Sequence, residues 1–411
     1  MLVANDNESS MRILYFSSFF SPENIAGAFR ASDHSRIWAT KGHDVNVFTG
    51  WPNYPTGQLF NGYKVVPLGE ESVDGVRVYR SCSKIQPNTS FAKRIESGVS
   101  VIVNGLRNLK KGSPVGFDYD VVLVSSGTVF TAWLGVHYAK KHRLPLVVEF
   151  RDLTYKQMMA TGSKGVKVSA MKALELSFCK AADRIVVLTD GFKKDLAAEG
   201  IPQEVMSVVP NGADVIPCKH HWQCPLRLGY FGTMGLSQDV PVTVEYAKHL
   251  ADKGFVSSYE LIGEGAARAE LERMMATNEY GFLSLEHGIP MSELESHYAD
   301  VDMTVVSLQK SEQFSGTIPS KIFQSFARGV PVLFIGPEGD ASELVRRSGA
   351  GIALCGTAEE DVREFEGFAS RNDLMNELER MSKLAVELMA SEYSRKIMAE
   401  KMIRILSDAA K

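Results

Sequence analysis

The stretch Met303–Ile335, MTVVSLQKSEQFSGTIPSKIFQSFARGVPVLFI, indicates the fold. Its two ends, Met303–Ser307 and Val332–Ile335, are short apolar runs rich in β-branched residues, as in strands that are buried on both faces. Between them, Lys321–Arg328 has apolar residues at helical spacing. Because parallel strands need a long crossover, two buried strands joined through a helix predict a parallel βαβ unit. The stretch therefore predicts an α/β domain with helices on both faces of its sheet.

The same alternation runs through the first half of the chain. Strands are predicted at Ile13–Ser17, Val45–Thr49, Val76–Arg80, Val121–Ser125, Leu146–Phe150, Ile185–Leu188 and Met206–Val209. Helices are predicted at Gly27–Thr40, Phe91–Leu109, Val129–Lys141, Val166–Lys180 and Phe192–Ala198. This half is thus expected to form a doubly wound sheet of its own.

The pattern restarts in the second half. Strands are predicted at Leu226–Phe231, Tyr259–Gly263, Leu283–Glu286, Met303–Ser307, Val332–Ile335 and Ile352–Leu354. Helices are predicted at Pro241–Lys253, Arg268–Ala276, Ser292–Tyr298 and Lys321–Arg328, with a helical tail at about Asp373–Ile405. The chain is therefore predicted to be an α/β protein of two Rossmann-like, doubly wound domains that face each other across a cleft.

Residues 211–225, NGADVIPCKHHWQCP, have no periodicity and contain two prolines, which is typical of a linker. The expected divisions are a disordered extension at 1–10, a first domain at 11–212, a linker at 213–225, a second domain at 226–385 and a final helix at 386–411. Ligands of such domains bind in the crevice outside the carboxyl ends of the strands.

Composition excludes several classes of protein. Of the 411 residues, 45% are hydrophobic and 23% are charged, as in ordinary globular domains, and the net charge of −4 gives no reason to expect nucleic-acid binding. Five scattered cysteines are typical of a reduced compartment, so we expect a cytoplasmic protein. The polar start has no signal-peptide pattern, and no apolar run reaches the roughly 18–20 residues of a membrane span.

Three loops that follow strands are candidates for binding phosphate. Gly27 opens the first helix, and Gly263-Glu264-Gly265 lies between a strand and a helix. For both loops the alternative is that the glycines serve only the geometry of the turn. Without a third glycine, the second loop does not match a dinucleotide fingerprint, so NAD is not expected. The third loop contains Thr317, Ile318 and Ser320, with Ser320 expected to be the N-cap of the next helix.

Lys321 follows in the first turn of that helix, where the helix dipole disfavours a cation. A bound anion would remove this conflict, so Lys321 is predicted to contact a pyrophosphate; the alternative is a solvated lysine.

Two Asp-x-Asp triplets, Asp118–Asp120 and Asp300–Asp302, precede their strands. Ligands collect at the opposite strand ends, so both triplets are expected to be solvated and no catalytic metal is predicted. The linker segment Cys218–Cys224 has metal-capable residues but no established zinc spacing.

The chain resembles glycosyltransferase family 4 over nearly its whole length. The matching segments, in order, are Ser21-Pro22-Glu23 with Gly27, Lys41–Val45, Val209–Asp214, Ile262–Gly265 and Ala327–Val332. Gly50–Gly57, Arg151-Asp152-Leu153 and Ile318–Phe323 are similar to bacterial N-acetyl-L-fucosaminyl- and fucosyltransferases of O-antigen, capsule or colanic-acid synthesis.

The resemblance implies the GT-B fold, with an acceptor-binding first domain, a donor-binding second domain and a last helix that returns to the first. It implies transfer of a sugar such as N-acetyl-L-fucosamine from a nucleoside diphosphate, UDP by preference, to a lipid-linked oligosaccharide, with no cofactor. The donor-binding residues would be Gly27, Gly232, Thr233, Gly263, Glu264, Thr317, Ile318, Ser320, Lys321 and Gln324. The acceptor-binding residues would be Arg30, Asn53 and Tyr54, and the catalytic residues Arg151, Asp152 and Lys321.

The chain departs from the family pattern at several positions. The two carboxylates of the family's Glu-x7-Glu motif are replaced by Gly316 and Gln324. The basic pair expected after the first strand of the second domain is absent from Gly232–Gln238, and Thr154-Tyr155 stands where the branch has Trp-Pro. A sugar-nucleotide 2-epimerase of related fold and an inactive sugar-nucleotide-binding scaffold therefore stay open as alternatives.

Residues 91–111 combine apolar residues at helical spacing with five basic residues. This pattern is typical of peripheral contact with the inner membrane or with the lipid of the acceptor, and equally of a crossover helix that faces the core.

Overall fold

The computed structural model describes residues 10–54, 56–87 and 91–411, with the side chains of Phe91 and Ser292 excepted. The extension expected at residues 1–10 thus lies, apart from Ser10, outside the described residues. Two parallel sheets, each covered by helices, account for the described chain, which confirms the predicted α/β class with two doubly wound domains.

The first sheet has eight strands in the order β3-β4-β2-β1-β5-β6-β7-β8, with only β3 antiparallel to its neighbour. The strands are β1 Arg12–Phe16, β2 Asp44–Gly50, β3 Leu68–Val73, β4 Val76–Ser81, β5 Val121–Ser125, β6 Leu146–Phe150, β7 Arg184–Val187 and β8 Met206–Val208. Its helices are α1 Ala26–Thr40, α2 Phe91–Asn108, α3 Val129–His142, α4 Thr154–Ala160, α5 Val166–Ala181 and α6 Asp190–Ala198.

The second sheet has six strands in the order β11-β10-β9-β12-β13-β14. The strands are β9 Leu226–Phe231, β10 Val256–Ile262, β11 Leu283–Glu286, β12 Met303–Ser307, β13 Val332–Ile335 and β14 Gly351–Leu354. Its helices are α7 Val240–Asp252, α8 Arg268–Met275, α9 Met291–Asp300, α10 Ser320–Ala327, α11 Asp340–Ser348 and α12 Ala358–Ala369.

Sequence analysis missed one strand and three helices. The strand β3 is a polar edge strand that pairs with β4, so it lacks the apolar run of a buried strand. The helices α4 and α11 have only seven and nine residues, which is short for a pattern to be recognised. The helix α12 has twelve residues and begins with a capping box formed by Thr357 and Glu360, a sequence signal that was overlooked.

The predicted helical tail consists of two helices, α13 Leu374–Glu392 and α14 Arg395–Ala410. It breaks because the Ser394 hydroxyl accepts a hydrogen bond from the Ile397 N–H and caps the second helix. The first of the two packs against α10 of the second domain, and the second packs against α1 of the first domain. The end of the chain therefore joins the two domains.

The Trp38 side chain is the central contact between α1 and α14. It is completely buried, and its indole N–H donates to the Ala399 carbonyl at 2.9 Å. The helix α14 thus completes the core of the first domain rather than lying on its surface.

Trp38→Ala is expected to lower the free energy of unfolding by about 3–5 kcal/mol, because it opens a large cavity and removes the hydrogen bond from the indole to the Ala399 carbonyl. Urea unfolding followed by circular dichroism measures the change. Trp133→Ala, which removes the same side chain from a partly buried site on α3, is the matched control and should cost less. An equal or smaller loss at Trp38 would contradict the role of this contact.

Candidate functional site

Two adjoining cavities lie between the domains, at the carboxyl ends of strands from both sheets. Cavity A measures about 330 Å³ and cavity B about 310 Å³. They share five lining residues, Ala26, Asn211, Thr233, Ser320 and Lys321. Together they form one crevice of the size of a small-molecule binding site.

Lys321 is the cation at the junction of the two cavities. Its Nζ donates to the Tyr230 hydroxyl at 2.9 Å and to the Thr233 carbonyl at 3.1 Å, and it lies 4.5 Å from the centre of the Tyr230 ring. No carboxylate pairs with it among the described residues, and desolvation lowers the pKa of Lys321 to about 7. The ammonium group is thus held in position without a counter-ion, as a site for an anion requires.

The predicted N-cap is wrong by one residue: Ser320 is the first residue of α10 and Pro319 is the N-cap. The Thr317 N–H donates to the Phe314 carbonyl at 3.0 Å and is therefore not free to bind a phosphate. Thr317 and Ile318 nevertheless line cavity B, and Ser320 lines both cavities.

Arg151 and Asp152 line cavity B opposite Lys321. The Arg151 Nε is buried and has no hydrogen-bond partner among the described residues. Desolvation raises the pKa of Asp152 to about 6, whereas the charge of Arg151 and a hydrogen bond with Gln157 act in the opposite direction. All three residues predicted to be catalytic therefore meet in one cavity.

Gly27 is buried and does not line either cavity, contrary to the expected phosphate contact. A Cβ at this position would overlap the guanidinium group of Arg151, so the glycine makes room for that side chain. Its part in the site is indirect: it lets Arg151 lie against the start of α1.

Cavity A is lined by Gly232, Thr233 and Gln324, three of the residues predicted to bind the donor. Beside them lie the apolar and aromatic side chains of Phe231, Met291 and Tyr298. The Gln324 Oε1 accepts from the Arg328 Nη1 at 3.0 Å, and Arg328 is in turn paired with Glu295 at 2.6 Å. The amide group of Gln324 is thereby held with its oxygen toward Arg328.

Gly263 and Glu264, predicted to bind the donor, do not line cavity A or cavity B. Gly263 packs so closely on the Gly232 carbonyl that a Cβ would overlap it, and the Met234 N–H donates to the Glu264 carbonyl at 2.8 Å. The Glu264 carboxylate is exposed and pairs with His287 at 2.7 Å. This loop therefore supports the Gly232–Met234 loop from behind.

Arg30, predicted to bind the acceptor, is held in place by internal hydrogen bonds. Its three guanidinium nitrogens donate to the Glu149 carboxylate at 2.7 Å and to the Pro210 and Val209 carbonyls at 2.6 and 2.9 Å. Arg30 borders cavity A, but these hydrogen bonds tie α1 to β6 and to the end of the first domain.

Asn53 and Tyr54 diverge into different cavities: Tyr54 lines cavity A, and Asn53 lines a separate cavity inside the first domain. Their two N–H groups donate to the same Glu23 carboxylate oxygen, each at 3.0 Å. Glu23 is buried, and burial raises its pKa. Its position after Pro22 in a family motif was the one sequence signal for this positioning role.

Sequence analysis missed a direct contact between the domains at Gly316. The Thr189 hydroxyl donates to the Gly316 carbonyl at 2.6 Å, and the Gly191 N–H donates to the Asp340 carboxylate at 2.6 Å. A Cβ on Gly191 would come closer to the Gly316 Cα than the 3.0 Å that real Cβ atoms keep. The family carboxylate missing at position 316 is thus replaced by a contact in which two glycines meet.

Neither Asp-x-Asp triplet approaches the crevice. Asp118 pairs with Arg12 at the amino end of β1, whereas Asp302 is completely buried against Arg227 at 2.9 Å, so the expectation of a solvated Asp302 is wrong. In the Cys218–Cys224 segment, the His220 ring stacks on Trp222. Within the described ranges, no three His, Cys, Asp or Glu side chains are grouped closely enough to hold a metal ion.

Comparisons with known proteins agree with this architecture. Residues 28–212 match the sequence profile described as a glycosyl transferase 4-like domain. WcaI of Escherichia coli (strain K12), assigned to colanic acid biosynthesis as a glycosyl transferase, is 24% identical over 344 residues, which cover 78% of this chain and 82% of WcaI. These matches confirm the predicted resemblance to glycosyltransferase family 4.

Two solved structures cover nearly the whole chain. Anabaena HepE in complex with UDP and glucose superposes with a TM-score of 0.69 at 11% identity, covering 97% of this chain and 100% of HepE. Sucrose-phosphate synthase from Thermosynechococcus elongatus superposes with a TM-score of 0.70 at 12% identity, covering 97% and 98%. The predicted GT-B fold is thereby confirmed.

Gly191→Ala is expected to destabilise the contact between the domains, because its methyl group would overlap Gly316 and lie 2.7 Å from the Asp340 carboxylate. Overpacking of this kind costs about 1–3 kcal/mol and should lower the first melting transition by several degrees. Gly367→Ala, on the exposed face of α12 with open space around it, is the control and should not lower it. Equal melting of both variants would contradict the contact.

Proposed function

Because the chain is a glycosyltransferase of the family 4, GT-B type, we propose that it transfers a sugar such as N-acetyl-L-fucosamine from UDP to a lipid-linked oligosaccharide of bacterial surface polysaccharide. The proposal depends most on one observation: Lys321, Arg151 and Asp152 converge in cavity B. HepE binds UDP and glucose, and WcaI is assigned to colanic acid biosynthesis, which supports this choice of donor and product.

The donor would occupy both cavities. The apolar and aromatic walls of cavity A, Phe231, Met291 and Tyr298, suit a nucleoside. The diphosphate would then lie at the junction, beside the Lys321 ammonium group, with the sugar in cavity B beside Arg151 and Asp152. Lys321 would take the place of the basic pair that the family has after β9, since its Nζ already reaches the Thr233 carbonyl in that loop.

The reaction breaks the bond between the anomeric carbon and the diphosphate, and negative charge grows on the departing phosphate. Lys321 would stabilise that charge in the transition state, together with Arg151, whose Nε has no hydrogen-bond partner among the described residues. Asp152, whose pKa of about 6 is close to neutrality, would accept a hydrogen bond from the attacking acceptor hydroxyl. We propose that no metal is required for this step.

A thermal-shift screen with UDP, GDP, dTDP and ADP, followed by incubation of the matching nucleotide sugars with and without acceptor, tests the proposal. Nucleotide release that depends on acceptor and persists in excess chelator supports it. Release of nucleotide without acceptor, with isomerisation of the sugar, would instead favour a 2-epimerase, and binding without turnover would favour a scaffold.

The helix α2 supplies the proposed contact with the membrane. Two glycines on its inner face let α2 lie directly on α3, since a Cβ on Gly98 would overlap the Phe130 ring and one on Gly105 would overlap Leu134. Four large apolar side chains face outward instead, each 37–48% exposed: Ile95, Val99, Val103 and Leu106. None of the helices in the described ranges is both long and apolar enough to cross a bilayer.

Charge around this outward stripe matches an anionic surface. Residues 91–111 contain five basic residues and one acidic residue, Glu96, which is paired with Lys84. An amphipathic helix with such flanking charge binds at the level of lipid headgroups. The protein would then stay on the cytoplasmic face of the inner membrane as a peripheral enzyme.

Flotation with anionic liposomes should carry the protein upward at low salt and less at high salt. Val99→Gln together with Val103→Gln should reduce flotation strongly, because the stripe loses much of its apolar area. Val166→Gln is the control, since Val166 is 85% exposed on α5 and lies outside the stripe. Flotation that is insensitive to the α2 substitutions would exclude this face.

Lys321→Met is expected to weaken UDP binding and to lower kcat by about 10²–10³-fold, as the loss of one charge-stabilising contact typically does. The methionine keeps the packing on Tyr230 while the charge is lost. Affinity for UDP in the parent protein should fall as pH rises above about 7, because the free lysine then loses its proton and binding must restore it. The terminal phosphate, with a second pKa of about 6, is already ionised there.

Isothermal titration from pH 6.5 to 9 and steady-state kinetics measure both effects. Lys401→Met, at an exposed position on α14, is the control and should behave as the parent protein. If Lys321→Met binds UDP with the affinity and pH dependence of the parent protein, Lys321 does not hold the diphosphate.

A further inference from the structure

Arg328 lies at the end of α10, behind the wall of cavity A, and is only 2% exposed. Its Nε and Nη2 atoms donate to the two Glu295 carboxylate oxygens at 3.0 and 2.6 Å, and Nη2 also reaches the Met291 sulfur at 3.6 Å. The Nη1 atom donates to the backbone carbonyl and to the side-chain oxygen of Gln324, each at 3.0 Å. The buried guanidinium group thus connects α9 to α10.

The two helices that Arg328 connects supply different kinds of surface to cavity A. The helix α9 gives three apolar or aromatic side chains at helical spacing, Met291, Leu294 and Tyr298. The helix α10 gives three polar side chains, Ser320, Lys321 and Gln324. The centre of the Arg328 guanidinium group lies 4.5 Å from the centre of the Tyr298 ring. Arg328 therefore packs against the apolar set while it holds Gln324 of the polar set.

The contact with Arg328 determines how the Gln324 amide is turned. A guanidinium group has donors and no acceptor, so it can form a hydrogen bond only with the oxygen of an amide. The Gln324 Oε1 therefore faces Arg328, and the N–H₂ group is turned away from it. Gln324 is partly exposed and lines cavity A, and its N–H₂ group has no hydrogen-bond partner within the described ranges. The free group that this side chain offers to the cavity is a donor.

A donor in this place selects oxygen atoms that accept hydrogen bonds. A carboxylate, which the family motif has at this position, could only accept and would need a donor on the ligand. The amide held by Arg328 reverses the direction of that hydrogen bond. Gln324 also lies one helical turn after Lys321, so a neutral side chain there leaves the ammonium charge available to a diphosphate.

We propose that Arg328 is a positioning residue, which holds the Gln324 amide so that its N–H₂ group donates to an oxygen of the nucleotide in cavity A. The inference rests on the proposed function, which places a nucleoside in that cavity. Arg328 lines neither cavity A nor cavity B, so it acts through Gln324 rather than on the ligand. Glu295 fixes the other end of the guanidinium group from α9.

Arg328 has a structural role as well. A cation at the C-terminal end of a helix is favoured by the helix dipole, and the buried ion pair with Glu295 joins α9 to α10. A lower melting temperature in an Arg328 variant would therefore not separate the two roles. Coupling between positions 328 and 324 in nucleotide affinity does separate them, because two residues that act independently have additive effects on the free energy of binding.

The test is a double-mutant cycle of Arg328→Lys and Gln324→Ala, with UDP affinity measured by isothermal titration. The lysine keeps a positive charge beside Glu295 but lacks the planar fork that reaches the Gln324 oxygen. Each single variant should weaken UDP binding about fivefold, the value of one neutral hydrogen bond, and the double variant should lose no more than either one. Arg380→Lys, in an exposed ion pair on α13, is the matched control and should bind UDP as the parent protein does.

Gln324→Glu tests the direction of the hydrogen bond. The side chain keeps its shape, but the carboxylate can only accept and brings a negative charge close to the diphosphate. UDP affinity should therefore fall by more than in Gln324→Ala. Affinity equal to that of the parent protein, or higher, would show that the ligand donates at this position and would overturn the assignment.

Unchanged UDP affinity in Arg328→Lys, or losses that multiply in the double variant, overturn the positioning role. If Arg328→Lys does not fold, Glu295→Gln takes its place in the same cycle, because it loosens the other end of the guanidinium group from a side chain that is 34% exposed. A parent protein that binds UDP but transfers no sugar removes the proposed function and leaves the cycle valid, since the cycle measures binding. A parent protein that does not bind UDP overturns both.

Discussion

A parallel sheet places the carboxyl ends of its strands along one edge, and in this protein each sheet turns that edge toward the other domain. Every candidate site residue depends on this arrangement. Asp152 follows β6, Thr233 follows β9, and Lys321 follows the loop after β12, so residues far apart in the chain meet in one crevice. The facing edges are held by α14, which crosses back to α1, and by the direct contact of Gly191 with Gly316.

The crevice contains positively charged side chains that are not neutralised by carboxylates within the described residues, unlike the buried charges elsewhere in the protein. Arg30 and Glu149 compensate each other in the buried interior, and so do Arg227 and Asp302. Lys321 and Arg151 are different, because neither forms an ion pair within the described ranges. Desolvation without a counter-ion lowers the pKa of Lys321, and a bound anion reverses that effect. The crevice therefore favours a diphosphate, whose negative charge would compensate these two cations.

In the helix α2, glycines at two positions determine which face of the helix packs against the rest of the first domain. Glycines at positions 98 and 105 bring it directly onto α3, which leaves its larger apolar side chains outside. A helix with large residues at positions 98 and 105 would stand farther from α3, because those side chains would meet Phe130 and Leu134. The exposed apolar stripe of α2 is therefore a consequence of these two glycines.

The sequence by itself determined the two sheets and the helices with strong periodicity, because buried strands and amphipathic helices record their environment in local residue patterns. It also located Lys321, Arg151 and Asp152 at the crevice, because each follows the predicted end of a strand, while their catalytic roles stay predictions. Tertiary structure decided the rest: Gly263 supports a loop, Arg30 binds internal carbonyls, and Thr189 and Asp340 meet across 151 residues. Such contacts arise when elements that are distant along the chain pack together. Local residue patterns do not indicate which distant elements will meet, so these contacts could not be predicted.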